Sequence, residues 1–178
     1  DLFRLAIRVS AKRLFPNFSF VDAPFNLQYY KPGHHETEIA YMGCRTRVMG
    51  NVYDPDREIA PRRGNLSFTS INLPRIAYLA ENETDFYSRL DKLMDVAARS
   101  LKTKRTVITK LMEGGLYPYT KRYLGTFENH FSTIGLVGMN EAGLNAKWLR
   151  KDLTHPEAQA FAKDVLNHMR ERLSDYQE

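Results

Sequence analysis

GNLSFTSINLP, residues 64–74, decides the fold class. Its inner part, NLSFTSINL at 65–73, is rich in residues that fit a pleated strand, and Gly64 and Pro74 bound it. Immediately downstream the period changes. Asn82-Glu83-Thr84-Asp85 offers N-terminal capping residues, and Phe86, Leu90, Leu93, Met94, Ala97, Leu101, Ile108, Leu111 and Met112 recur at helical spacing. Gly114-Gly115 closes that helix, and TKRT at 103–106 interrupts its stripe and suggests a kink. TIGLVG, 133–138, then reads as a second strand, short, apolar and fully buried. Strands separated by a long helix imply an α/β fold with parallel strands.

The flanks follow from the same rules. GLYPYTKRYLG, 115–125, is aromatic and basic and reads as irregular, while MNEAGLNA, from Met139, reads as a turn into a short helix. Near the C-terminus Thr154 and Glu157 form a capping-box pattern with Pro156 in the first turn. Ala158, Phe161, Ala162, Val165, Leu166, Met169 and Leu173 make one face of the helix that follows. At the other end, residues 2–15 have helical spacing up to Pro16, and FSFVD, 18–22, reads as a short strand. Residues 23–63 show no sustained period and hold repeated Pro and Gly; an irregular stretch that long is usually functional. Three parallel strands would leave open edges, so a piece of a larger sheet or barrel is expected.

Composition narrows the classes. Lys plus Arg exceeds Asp plus Glu by 26 to 21, a charge of +5 that suits an anionic ligand or is an ordinary soluble surface. The single cysteine, Cys44, excludes an internal disulfide and a four-cysteine zinc site, and fits a reducing cytoplasm. No signal peptide and no membrane-length apolar run is present, so a cytoplasmic location is expected. The chain starts with Asp1 inside a helical pattern, as expected of a fragment of a longer protein or a processed chain.

Several residues invite chemistry. Cys44 sits in YMGCRTRV, 41–48, within the irregular stretch. It is either a small buried hydrophobe or a reactive sulfur, with His34 and His35 as bases and Arg45 and Arg47 able to lower its pKa. HHETE, 34–38, offers His34, His35, Glu36 and Glu38, but adjacent histidines share no helix face and no HExxH pattern appears, so a solvated loop is expected and no metal site. RRGN, 62–65, is a basic turn that delivers Asn65 to the start of a strand. TIGLVGMNEAG, 133–143, has a strand–glycine–helix order that would suit phosphate, yet matches neither GxGxxG nor the P-loop. YPYTKRY, 117–123, interleaves aromatics with Lys121 and Arg122. It supports a competing reading, a non-catalytic basic module for nucleotides or single-stranded nucleic acid.

Taken together, YMGCRTRV at 41–48, RRGNLSFTSINLPRIA at 62–77 and FSTIGLVGMNEAG at 131–143 resemble the anaerobic (class III) ribonucleoside-triphosphate reductases, a glycyl radical enzyme family. The resemblance runs from about Pro16 to Lys147. It implies that residues 1–178 are one fragment of the catalytic barrel, a ten-stranded α/β barrel of two five-stranded halves with a cysteine-bearing loop at about 23–63. It implies that Cys44 becomes a thiyl radical, generated from a glycyl radical outside this chain, and removes the 3′-hydrogen of a ribonucleotide. Asn65 matches an active-site asparagine that holds the ribose hydroxyl region and the reductant. Met42, Gly43 and Thr46 match the substrate side of the cysteine loop, and Ser132, Gly138 and Asn140 the nucleotide side of the barrel. Formate is the implied reductant. A radical SAM activating enzyme and a second copy of the full-length protein are the implied partners, with no nucleic acid and no membrane. The family's C-terminal radical motif and its zinc site are not in this chain, so the chain alone is expected to be inactive.

Overall fold

A computed structural model of the chain describes residues 1–28, 30–34, 37–43, 46–48 and 64–176. Asp1–Arg63 forms one compact unit and Gly64–Glu178 a second.

In the first unit, helix α1 spans Leu2–Arg13. The Asp1 carboxylate accepts the Phe3 N–H at 3.0 Å, satisfying one of the helix's unpaired N-terminal donors. Leu14 ends it in the left-handed region at φ 64°, its N–H donating to the Ser10 carbonyl. FSFVD is not a strand. The Phe20 carbonyl accepts from Ala23 N–H at 3.1 Å and from the buried Asn26 side chain at 2.6 Å, so local bonds take up what a ladder would need. A one-turn helix α2, Pro24–Leu27, follows with proline in its first turn. Two short strands, β1 (Ala40–Met42) and β2 (Thr46–Val48), pair antiparallel with Met42 opposite Thr46. The stretch 23–63 therefore contains regular structure that its sequence pattern does not announce.

The second unit carries the α/β architecture. Strand β3, Gly64–Asn72, runs directly into helix α3, Leu73–Leu79, where Pro74 sits in the first turn and the Asn72 carboxamide accepts from Arg75 N–H at 3.1 Å. Helix α4, Glu83–Glu113, begins at Asn82, whose side chain accepts the Asp85 N–H at 2.9 Å. It is one uninterrupted helix of 31 residues. The TKRT stretch does not break it, although the Thr103 and Thr106 hydroxyls donate back to the Arg99 and Lys102 carbonyls of the preceding turn, a bond type that tends to bend a helix. The segment read as irregular folds as helix α5, Pro118–Leu124, opened by proline and closed by Gly125 at φ 76°. Strand β4, His130–Val137, lies parallel to β3, and helix α6, Met139–Asn145, follows. Helix α7, Pro156–Asp175, completes the unit.

The expected parallel pairing of NLSFTSINL and TIGLVG is present, with Phe68 opposite Thr133 and Ile71 opposite Leu136. It forms a two-stranded parallel sheet in a mixed α/β unit. Strand β4 is half-buried rather than fully buried, and Val137 is 54% exposed. The core gathers on the helix side. Phe86, Leu90, Met94 and Ala97 of α4 meet Leu73, Ile76 and Ala77 of α3, Ala142 of α6, and Phe161, Val165 and Met169 of α7. Each fully buried Phe, Leu or Met side chain contributes about 1.5–3 kcal/mol of transfer free energy. Phe86 is central, with Tyr87, Phe161 and Trp148 rings 5.4, 5.3 and 6.0 Å away.

Helix α7 starts without the expected capping box. His155 is its N-cap and makes no side-chain capping bond to the helix, its ring lying 3.0 Å from Asp152; Thr154 also turns to Asp152, and Glu157 pairs with Lys151 at 2.5 Å. Polar contacts hold α7 to α4. His168 meets Asp91 at 2.6 Å, Arg172 meets Asp95 at 2.7 Å, and the Tyr176 phenol also donates to Asp95.

Candidate active site

Side chains alternate across a strand, so β3 and β4 give their sheet two different faces. Ile71, Ile134 and Leu136 point into the core beneath α3 and α4. The opposite face is open and carries Asn65, Phe68 and Thr133. A register shift between Asn65 and Ser67 inserts one extra residue into β3 and turns Asn65 onto that open face. There the Thr133 hydroxyl donates to the Asn65 Oδ1 at 2.7 Å. Phe68, 71% exposed, lies opposite Thr133 on the same face.

The start of β4 is clamped from behind. Arg105 of α4 donates through Nη1 to the Phe127 carbonyl at 3.0 Å, through Nη2 to the His130 carbonyl, and through Nε to the Ser132 hydroxyl at 3.3 Å. His130 is buried beside Phe127, with ring centroids 5.4 Å apart. Burial, and then the Arg105 charge, push its imidazole below its usual 6.5.

The C-terminal ends of the two strands are locked to each other. Gly138 caps α6 with φ 76°, and a Cβ there would lie 2.3 Å from Pro74 Cγ. Only glycine reconciles that backbone with that contact. Asn145 donates to the Pro74 carbonyl at 3.2 Å, and the Asn140 side-chain oxygen accepts the Leu153 N–H at 3.0 Å.

The residues singled out in the sequence thus fall into distinct places. Asn65 stands on the open sheet face. Ser132, one residue before Thr133, turns its hydroxyl to Arg105 on the helix side. Gly138 makes the turn after β4, and Asn140 stands in the first turn of α6. In the first unit, Met42 and Thr46 are the paired ends of the β1–β2 hairpin, and Gly43 follows with φ 54°. Cys44, Arg45, His35 and Glu36 lie outside the described residues. A cavity of about 300 Å³ in this unit is lined by Val21, Asp22, Asn26, Leu27, Tyr30, Glu38 and Ile39. Of the sequence candidates, Glu38 is the one on that wall. Among the described residues, no three His, Cys, Asp or Glu side chains gather as metal ligands, and no helix is long and apolar enough to cross a membrane. Sequence reasoning did not single out Thr133 from the 132–140 stretch and missed Arg105; their partners lie 68 and 22–27 residues away in the chain.

Comparison with known proteins adds the decisive observation. The family model for anaerobic ribonucleoside-triphosphate reductase matches residues 1–178. The chain belongs to the anaerobic ribonucleoside-triphosphate reductase family. Among curated relatives, the anaerobic ribonucleoside-triphosphate reductase of Haemophilus influenzae is 35% identical over 104 residues, 58% of this chain. Those of Salmonella typhimurium and Escherichia coli are 31% and 30% identical over 105 residues. The matched stretch spans 14% of the length of each relative, so the chain corresponds to a small part of such a reductase. The family that the three motifs resemble is the one the comparison shows.

Proposed function

We propose that this chain is the segment of an anaerobic ribonucleotide reductase that carries the hydrogen-atom relay, Cys44, and a substrate-orienting amide, Asn65. The observation that carries the reading is the family match over the whole chain, joined to the placement of Asn65 on the open face of the β3–β4 sheet. The segment is part of the reductase's catalytic barrel, with β3 and β4 as two of its strands. Residues 23–63 form the cysteine-bearing loop.

The substrate is a ribonucleoside triphosphate. The glycyl radical, which this reading places outside the chain, supplies the acceptor for the Cys44 hydrogen atom. The Cys44 thiyl then takes the 3′-hydrogen of the ribose, forming S–H and leaving the unpaired electron on C3′. The 2′-hydroxyl leaves as water. Two electrons enter from formate, which becomes carbon dioxide, and Cys44 returns its hydrogen atom to C3′. Overall, the triphosphate, formate and one proton give the 2′-deoxy triphosphate, carbon dioxide and water. A relay sulfur needs neither a disulfide partner nor a low pKa; it needs a fixed place beside the ribose. Met42, Gly43 and Thr46 shape the tip that carries it. Asn65 donates to ligand oxygens. Ser132, Gly138 and Asn140 belong to the nucleotide side, where Gly138 and Asn140 set the course of the backbone.

The test is Cys44→Ser in the full-length reductase, assayed without oxygen. Deoxynucleotide formation is expected to vanish while nucleotide binding persists. Reduction at the wild-type rate would refute the relay role and favour a binding-only segment.

A further inference from the structure

The geometry points to Thr133 as a positioning residue that fixes which end of the Asn65 carboxamide faces the ligand. The inference rests on the reading of Asn65 as a substrate-orienting amide. A carboxamide has one accepting and one donating end, nearly equal in shape, and rotation of half a turn exchanges them. The Thr133 hydroxyl has a single hydrogen to give, and it gives it to Asn65 Oδ1 at 2.7 Å. With the hydroxyl hydrogen given to Oδ1, the carbonyl end faces Thr133; the reversed amide would leave that hydrogen without this acceptor. The two N–H donors are then left for acceptor oxygens, such as those of ribose hydroxyls or a carboxylate.

Three further features favour this role over a purely structural one. Asn65 is exposed and Thr133 half-buried, so neither is a core group that must be satisfied. A bond at such a site adds little to folding stability. The extra residue in β3 between Asn65 and Ser67 is what brings the pair onto one face, and bulges of this kind re-aim side chains. Finally, Arg105 holds the first residue of β4, His130, and Phe127 in the loop before it from the opposite side, so Thr133 is mounted on an anchored strand. An amide oriented in advance avoids reorganisation when the ligand arrives.

The test uses the activated full-length reductase with Thr133→Val, Thr133→Ser, Asn65→Ala and the Val/Ala double variant. Valine keeps the shape of threonine and removes the donor. Thr133→Val is expected to lower kcat/KM about tenfold, the order of one hydrogen bond felt by the reacting complex. Thr133→Ser should stay within about twofold of wild type, since it keeps the hydroxyl. In the Asn65→Ala background, Thr133→Val should change nothing further, because its action passes through Asn65. Wild-type kcat/KM in Thr133→Val, with Asn65→Ala impaired, overturns the inference and leaves the role of Asn65 standing. Equal losses from Thr133→Val in both backgrounds also overturn it, by showing an effect on the fold. Full activity in Asn65→Ala overturns the reading of Asn65 itself. If Thr133→Val does not fold, Thr133→Ala carries the same comparison.

Discussion

Replacing Gly138 by alanine tests the way the two strand ends are locked, and the structure separates two costs. The first is backbone strain: Gly138 has φ 76°, a region that an L residue enters at about 1–2 kcal/mol. The second is steric: the new Cβ would stand 2.3 Å from Pro74 Cγ and 2.7 Å from Pro74 Cδ. Proline is a stiff ring held at the start of α3, so relief requires the α3 and α6 turns to separate, at about 1–3 kcal/mol. The expected loss is therefore about 2–5 kcal/mol. Gly115→Ala and Gly143→Ala divide the sum. Gly115 has φ 89° with nothing within 4 Å of its Cβ position, so strain alone acts there. Gly143 has no positive φ, but its Cβ would meet the Lys151 carbonyl oxygen at 2.5 Å, so the clash alone acts there. Urea unfolding of the chain, followed by far-ultraviolet circular dichroism, gives the three midpoints and slopes. The order expected is Gly138→Ala as the most damaging, with Gly115→Ala near 1–2 kcal/mol. Gly138→Ala no worse than Gly115→Ala would refute the reasoning, for the Pro74 contact would then carry no energy.

Two further outcomes are expected. Arg105→Ala strands the Phe127 and His130 carbonyls and should cost about 2 kcal/mol in the same unfolding assay. Arg105→Lys should recover less than half, because an ammonium lacks the planar fork that reaches all three acceptors; full recovery would show that charge alone is needed. His130 gives the chain an acid-sensitive step. Its folded-state pKa lies below the unfolded value near 6.5, so the unfolded chain binds more protons between the two values. Stability is complete above about pH 6.5 and falls as pH drops below it toward the folded value. His130→Phe should flatten the stability profile between pH 7 and 5, and an unchanged profile would remove His130 as its source. The carboxylates Asp85, Asp95 and Asp152 are also held low, chiefly by hydrogen bonds from Arg89, Tyr176 and Thr154, and lose their contribution only below pH 3.8. The two effects are therefore separable by pH.

What the sequence discloses depends on how local each signal is. β3 is legible because Gly64 and Pro74 bound a strand-favouring run, and α4 because Asn82 and its apolar stripe need no distant partner. The parallel pairing followed from the long helix between two strands. FSFVD misleads because its composition suits a strand, whereas Asn26 and Ala23 claim the Phe20 carbonyl six and three residues away. At α5, Pro118 and Gly125 are proper start and stop signals, hidden by the aromatic residues between them. The capping box at Thr154 fails because Asp152, absent from that pattern, takes the threonine hydroxyl. The site divides in the same way. Asn65 is legible through its motif, but its partnership with Thr133 depends on a bulge and on the register of strands 68 residues apart. Neither leaves a trace in local periodicity.

The central claim is that Cys44 stands between the radical source and the nucleotide. The measurement that tests it most directly is electron paramagnetic resonance of the activated full-length Cys44→Ser reductase, mixed with ribonucleoside triphosphate and formate without oxygen. The account predicts a radical signal that persists unchanged and no deoxynucleotide. Deoxynucleotide formed at the wild-type rate, or a radical signal consumed by adding the nucleotide, would contradict it.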